Sequence, residues 1–145
     1  MKTVRYNTNL AAEFWVLSAL YRIGVDAHLT LGNKKAVDIV IIRESDIAFT
    51  IDVKGVVGPY DLPADNIKVL DKPGHIYALV CFENKISDPS TNPSVWIIPS
   101  IKLKDYLIKY KTRIVISRAL VKKNATVFQN AWHVLTKNIS YNIEK

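Results

Sequence analysis

The chain has 145 residues, of which 49% are hydrophobic and 23% are charged. Domains typically run to about 100–200 residues, so we expect one domain over residues 1–145. A domain of this size needs no disulfide or structural metal to complete its core. The composition excludes a disordered tail protein and a low-complexity chain, because such chains hold too few apolar residues to offset the entropy lost on ordering.

Taken in chain order, the expected elements are a helix capped by Thr8 or Asn9 and ended by Gly24, strands over 26–31, 36–42 and 47–54, a short helix over 64–70, strands over 75–82 and 95–98, a helix over 101–110, a strand over 114–116, and a last amphipathic helix that includes Phe128, Trp132 and Leu135. Gly55 is expected to end the third strand. The order αβββαββα predicts an α/β (α+β) domain with a central mixed sheet of about four to five strands flanked by helices.

The cellular compartment is predicted from one cysteine and from the N-terminal residues. Cys81 has no intramolecular partner and lies in an apolar run that reads as a buried strand. Residues 10–21 follow two cations as in a signal peptide, but Glu13 interrupts them and no small-residue cleavage site follows. No run approaches the roughly 18 apolar residues of a membrane span. We therefore expect a cytoplasmic protein that does not engage a membrane.

The formal net charge of +7 is concentrated in one part of the chain. Residues 102–123 carry eight cations and one acid, and the rest of the chain is neutral. A basic surface attracts polyanions, and cations interleaved with Tyr106 and Tyr110 are typical of nucleic-acid surfaces. On a helix, the two tyrosines would instead lie on the core side. The predicted nucleic-acid-binding residues are Lys34, Lys35, Lys102, Lys109, Lys111, Arg113, Arg118, Lys122 and Lys123.

Two acids on neighbouring predicted strands indicate a cation site. Strand alternation places Asp52 and Lys54 on one face of their strand. If the preceding turn has three or five residues, Asp38 lies directly opposite Asp52, with Cβ atoms about 4.5–5.5 Å apart. Two carboxylates at that distance repel each other by roughly 3 kcal/mol in a partly buried setting. A divalent cation bound by oxygen ligands would remove this repulsion.

Glu13 is a third acid of interest, because it projects toward the inner side of the first helix with Leu10, Leu17 and Leu20. If that helix packs on the face that bears Asp38 and Asp52, Glu13 joins the acidic cluster directly or through water. The alternative is an acid near the start of the helix that favours the helix dipole.

These residues form a pattern that resembles the PD-(D/E)xK, or restriction-endonuclease-like, nuclease superfamily, whose small members include archaeal Holliday-junction resolvases. The pattern consists of Glu13, Val37-Asp38 and Asp52-Val53-Lys54. The resemblance covers about residues 8–100 and departs at Val37, where the proline that gives the family its name is missing. The basic C-terminal extension, residues 101–145, has no counterpart in the family that we can assign.

The resemblance implies hydrolysis of DNA phosphodiester bonds with Mg²⁺, for which Mn²⁺ would substitute. Asp38 and Asp52 would hold the ion, with the backbone carbonyl of Val53 as a further ligand and Glu13 as a ligand directly or through water. Lys54 would orient the attacking water or stabilise the charge on the phosphate. DNA is the expected partner, and RNA is not excluded. Symmetric cleavage of both strands would require two active sites, which leaves a homodimer open.

Simpler structural interpretations of several of these residues also fit the sequence. Asp52 and Lys54 also fit a salt bridge on a solvated face, and Lys34 and Lys35 fit an exposed hairpin. Asp61 and Asp65 fit turn residues as well as metal ligands. His28, His75 and His133 lack metal-ligand spacing, which favours structural or exposed roles. For the whole chain, the alternatives are a non-catalytic nucleic-acid-binding module on the same fold and a small α/β protein whose acids are surface charges.

Overall fold

The computed structural model describes residues 7–30, 37–67 and 70–136. Its helices and strands are, in chain order, α1 (Thr8–Arg22), β1 (Ala27–Leu29), β2 (Ile39–Arg43), β3 (Asp46–Val56), β4 (Leu62–Pro63), β5 (His75–Cys81), β6 (Ser94–Pro99), α2 (Ser100–Leu103), β7 (Leu107–Lys109), β8 (Ile114–Ile116) and α3 (Arg118–Asn124). Short 3₁₀ turns cover Lys104–Tyr106, Thr126–Phe128 and Trp132–Leu135.

The centre of the fold is a five-stranded sheet with the order β1-β2-β3-β5-β6. Neighbouring strands run antiparallel except β3 and β5, which are parallel. The sheet is mixed, as the order of predicted elements indicated, and the first three strands form the expected antiparallel meander. β4, β8 and β7 form a second, three-stranded sheet. The protein is therefore a mixed α/β domain of the α+β type.

Each face of the five-stranded sheet has its own hydrophobic core. α1 covers one face, where its Ala12, Val16 and Leu20 pack with Ile39 and Ile51 of the sheet. The small sheet and the short helices cover the opposite face. The residues of that second core include Leu62, Tyr77, Leu79, Trp96, Ile98, Leu103, Tyr106, Ile116 and Val121. β5 is buried throughout because both of its faces are covered.

Several bounds in the N-terminal half differ from the expected ones, and two of the differences have a clear physical reason. α1 begins one residue earlier, because the Asn7 side chain accepts a hydrogen bond from the Leu10 amide at 3.3 Å and so acts as the cap. Gly55 does not end β3, which continues to Val56. A Cβ atom at Gly55 would lie 2.8 Å from the Ala12 side chain, so glycine is the residue that lets α1 cross β3 closely.

The expected order αβββαββα is wrong in its second half. Residues 101–110 do not form one helix: α2 is a single turn, and residues 107–109 pair with β8 as a strand instead. Residues 64–67 form a turn after β4 rather than the start of a helix, and 68–69 lie outside the described residues. The last expected helix, marked by Phe128, Trp132 and Leu135, is replaced by two 3₁₀ turns. α3 lies before it and was not expected. At residues 107–109, pairing with β8 outweighs the local helical spacing.

No helix in the described part of the chain is long and apolar enough to cross a membrane.

Candidate metal and nucleic-acid site

A β-bulge between β2 and β3 determines which side chains meet. The turn has two residues, Glu44 and Ser45, both with positive φ, so the condition of a three- or five-residue turn is not met. A two-residue turn alone would have placed Asp38 opposite Ile51. The pairing shifts by one residue between Ile41 and Ile42, because Ala48 is an extra residue in β3. Ile39 therefore pairs with Ile51, and continuing that register brings residue 38 opposite residue 52.

Asp38 lies at the start of β2, where its side chain completes the hydrogen-bond ladder. Its backbone amide donates to the Ile51 carbonyl at 2.8 Å, and its Oδ2 accepts from the Val53 amide at 2.7 Å. The N–H and C=O of one strand residue point toward the same neighbour. The Val53 carbonyl, proposed from the resemblance as a metal ligand, therefore faces the same strand edge as Asp38.

Asp52 is an acid in an unusually buried position, with 3% of its surface exposed. Its Oδ2 has no hydrogen-bond donor among the described residues. Burial raises the pKa of this carboxyl to about 7; Lys54 opposes that rise, and Asp38 reinforces it through its charge and by accepting a hydrogen bond from the protonated form. This arrangement differs from the solvated surface pair considered above.

Lys54 is the cation of the site. Its Nζ lies 3.4 Å from Asp52 Oδ1, and only 16% of the lysine side chain is exposed. The same nitrogen donates to Asn66 Oδ1 at 3.3 Å. Asn66, which nothing in the sequence singled out, therefore positions Lys54 from the turn after β4. The two contacts hold the ammonium group beside the carboxylate instead of leaving it in solvent.

Glu13 is not on the expected side of the sheet. α1 packs against the face that carries Ile51 and Val53, which is opposite to the Asp52 side chain. Burial nevertheless raises the pKa of Glu13, and the negative charge of Asp38 adds to that rise. Glu13 is thus within electrostatic range of Asp38 at the strand edge. It lies beyond the first turn of α1, which contains no acid, so the helix dipole does not account for it.

A divalent cation fits this site on the donor atoms present. Two carboxylates, those of Asp38 and Asp52, face each other across the strands, and one buried oxygen lacks a donor. Hard cations prefer such oxygens and complete their shells with water or substrate phosphate. Within residues 7–30, 37–67 and 70–136, no group of three or more His, Cys, Asp or Glu side chains is arranged to hold a metal ion. The carboxylate pair is therefore the donor set available for such an ion.

Further polar side chains line the face next to Asp52. Tyr77 of β5 pairs with Asp52 in register, and Thr50 pairs with His75. His75 Nδ1 lies 2.6 Å from Thr50 Oγ1, and the ring meets Tyr77 edge to face. Burial lowers the pKa of His75 to about 4, so the imidazole is neutral. The sequence did not place these groups beside Asp52, because the parallel pairing of β3 with β5 leaves no local signal.

The predicted nucleic-acid-binding residues differ in how far they are exposed. Lys102, Lys109, Lys111, Arg113, Lys122 and Lys123 are exposed. Arg118 is half-buried, and its Nη2 forms an ion pair with Glu83 Oε2 at 2.8 Å. Lys34 and Lys35 lie outside the described residues.

Asp61 and Asp65 accept hydrogen bonds from backbone amides that are distant in the sequence. Asp61 Oδ1 accepts from the Arg118 amide at 2.9 Å, and Asp65 Oδ1 accepts from the Ile114 amide at 2.7 Å. Asp61, in the loop before β4, and Asp65, in the turn after β4, thus join this part of the chain to the basic segment. They bring exposed cations to the side of the sheet on which Asp52 and Lys54 lie.

No family model, curated protein or solved structure matches this chain.

Proposed function

We propose that this protein is a metal-dependent endonuclease that hydrolyses DNA phosphodiester bonds at the site formed by Asp38, Asp52 and Lys54. The proposal adopts the restriction-endonuclease-like arrangement that the sequence resembles. One observation carries it: a buried carboxylate, Asp52, faces a second carboxylate and has a lysine ammonium 3.4 Å away.

The burial of these groups supports a catalytic interpretation. A charged acid that is 3% exposed destabilises the folded protein unless its charge is compensated. Lys54 compensates it in part, yet the pKa of Asp52 remains raised to about 7. Titratable groups with strongly shifted pKa values and specific charged neighbours are concentrated at functional sites.

Each residue has a defined part in the proposed reaction. Asp38 is held by the Val53 amide, so its carboxylate is fixed relative to β3. Asp52 contributes the second carboxylate. Lys54, held by Asp52 and Asn66, presents positive charge to the scissile phosphate and orients the attacking water. Glu13 adds negative potential at the strand edge through its proximity to Asp38.

Asp38, Asp52 and the Val53 carbonyl are the groups that would hold Mg²⁺ or Mn²⁺. When bound, such an ion supplies a Lewis acid that polarises the phosphate and lowers the pKa of a bound water.

A nicking assay tests the proposal. Purified protein is incubated with supercoiled plasmid and with branched DNA in Mg²⁺, in Mn²⁺ and in EDTA. We expect cleavage only with metal, and a loss of at least about 100-fold in Asp52→Asn and Lys54→Met, since removing one transition-state electrostatic contact commonly has this effect.

Asp46→Asn is the matched control, because Asp46 is an exposed acid on the same strand. It should cleave at the wild-type rate. Cleavage that persists in Asp52→Asn, or that is lost equally in Asp46→Asn, would contradict the assignment of the site.

The second candidate is a nucleic-acid-binding module that does not cleave. It is favoured by the ion pair itself, because Lys54 already supplies a cation to Asp52 without any metal. Wild-type protein that binds DNA but shows no cleavage in either metal would establish this alternative.

A further inference from the structure

β7 and β8 form a hairpin whose tip is polar, aromatic and exposed. Residues 110–113 connect the strands, and the Tyr110 amide donates to the Arg113 carbonyl at 2.8 Å to close the turn. Lys109, Lys111 and Arg113 are exposed around it. Tyr110 is 49% exposed, whereas Tyr106 is 5% exposed and belongs to the core. The tip therefore presents one free aromatic ring among three cations.

The hairpin is firmly attached at the end that carries this tip. β8 pairs with β4, and both backbone polar groups of Ile114, the first residue of β8, are hydrogen-bonded. Its amide donates to Asp65 Oδ1 at 2.7 Å, and its carbonyl accepts from the Ala64 amide at 2.9 Å. The tip thus projects from a fixed base and is not a detached loop.

The same turn connects the hairpin to the proposed catalytic lysine. Asp65 holds Ile114 at the base of the tip, and the next residue, Asn66, accepts a hydrogen bond from Lys54 at 3.3 Å. Two consecutive residues, Asp65 and Asn66, therefore contact the tip end of the hairpin and the catalytic lysine, respectively. A nucleic acid bound at the tip is placed on the side of the protein where Lys54 lies.

We propose that this tip holds an unpaired base stacked on Tyr110, with Lys109, Lys111 and Arg113 on the adjoining phosphates. The proposal rests on the nuclease function above and makes its substrate class more specific: DNA with a single-stranded segment beside the cleaved bond. Stacking on an aromatic side chain requires a base whose face is free, which bases inside a duplex do not offer.

Binding measurements in EDTA test this inference separately from cleavage. Fluorescence anisotropy is recorded with a labelled single strand, with its blunt duplex and with a duplex that carries a single-stranded tail. Tyr110→Ala is expected to weaken binding of the single strand and the tailed duplex by about 5- to 150-fold, the range for loss of one base–aromatic stack. Binding of the blunt duplex should change less than about twofold.

Two variants make the result specific. Tyr110→Phe keeps the ring and should bind as wild type. Tyr21→Ala is the matched control, because Tyr21 is 56% exposed but lies on α1, which covers the opposite face of the sheet. Circular dichroism checks that each variant is folded.

Equal weakening of all three DNA forms by Tyr110→Ala would overturn the stacking role, as would no weakening at all. Binding of anionic phospholipid vesicles that requires Tyr110, while DNA binding does not, would also overturn it. If wild type binds the tailed duplex through Tyr110 but never cleaves it, the stacking role of Tyr110 holds and the nuclease function fails. If wild type cleaves and Tyr110→Ala binds normally, only the inference fails.

Discussion

Asp38 Oδ2 accepts a hydrogen bond from the backbone amide of Val53 at 2.7 Å, which ties one carboxylate of the site to the strand that carries the other. Asp52 is the residue before Val53, so the position of Asp38 relative to Asp52 follows the backbone of β3. The Asp38 carboxylate is therefore fixed relative to the backbone of β3. An acid anchored in this way is already ordered before any cation or substrate binds.

Asp52→Asn is expected to make the protein more stable at pH 8 and to flatten the dependence of its stability on pH. The pKa of Asp52 is raised from 3.8 to about 7, chiefly by burial. The folded protein then binds this proton more tightly than the unfolded chain, so the contribution of this carboxyl to stability is fully present below about pH 4 and is lost as the pH rises through about 7. The difference corresponds to roughly 4 kcal/mol at full ionisation.

Urea unfolding of the metal-free protein between pH 4 and pH 8 measures this effect, with Asp46→Asn as an exposed-acid control. Parallel stability curves for wild type and Asp52→Asn would contradict the raised pKa.

Mg²⁺ or Mn²⁺ is expected to raise the Tm of the wild-type protein at pH 8, and EDTA should reverse the rise. A ligand that binds only the folded state stabilises it by about 2.7 kcal/mol at 100 times its Kd. Differential scanning fluorimetry over a metal titration gives the shift. Asp52→Asn should show no shift, and an equal shift in that variant would place the ion elsewhere.

The turn between β2 and β3 is expected to accept Asn-Gly with a gain in stability. Glu44 and Ser45 have φ values of 52° and 69°, which Asn and Gly adopt more readily in a two-residue hairpin turn. The double variant Glu44→Asn/Ser45→Gly should gain about 0.5–1 kcal/mol in the free energy of unfolding. A decrease would show that this backbone conformation is not the one adopted in solution.

Gly55→Ala is expected to destabilise the protein by about 1–3 kcal/mol, because the added methyl overpacks the contact between β3 and α1. Its Cβ would lie 2.8 Å from Ala12 Cβ and 3.2 Å from the Thr8 carbonyl oxygen. Urea unfolding gives the loss. Ala12→Gly removes one of the two close contacts, so the double variant should lose less than the sum of the single variants; strict additivity would contradict the close approach.

Replacing Lys109, Lys111 and Arg113 with Gln is expected to reduce the salt dependence of DNA binding. Each lost phosphate contact lowers the slope of log K against log salt by about 0.9 for duplex DNA. Arg118→Gln serves as the contrast, because Arg118 is paired with Glu83. This substitution should lower the stability of the protein more than it changes the salt dependence of DNA binding. An unchanged slope in the triple variant would assign these cations to solubility alone.

The sequence was informative where structure depends on neighbours along the chain. Strand alternation correctly placed Asp52 and Lys54 on one face of β3, and the run at 75–82 correctly gave a buried strand. It failed at residues 107–109, whose helical spacing is overridden by pairing with β8. The failure is physical, because the free energy of strand pairing depends on a partner that local spacing does not reveal.

For the candidate site, the sequence by itself determined that an acid and a lysine two residues apart project together, since side chains repeat every two residues in any strand. Only the tertiary structure decided that Asp38 faces them, because the extra residue Ala48 in β3 shifts the register by one. The tertiary structure also placed Asn66 on Lys54 and left Tyr110 exposed at the hairpin tip. Register and contacts between distant segments arise from packing of the whole chain, which no local pattern encodes.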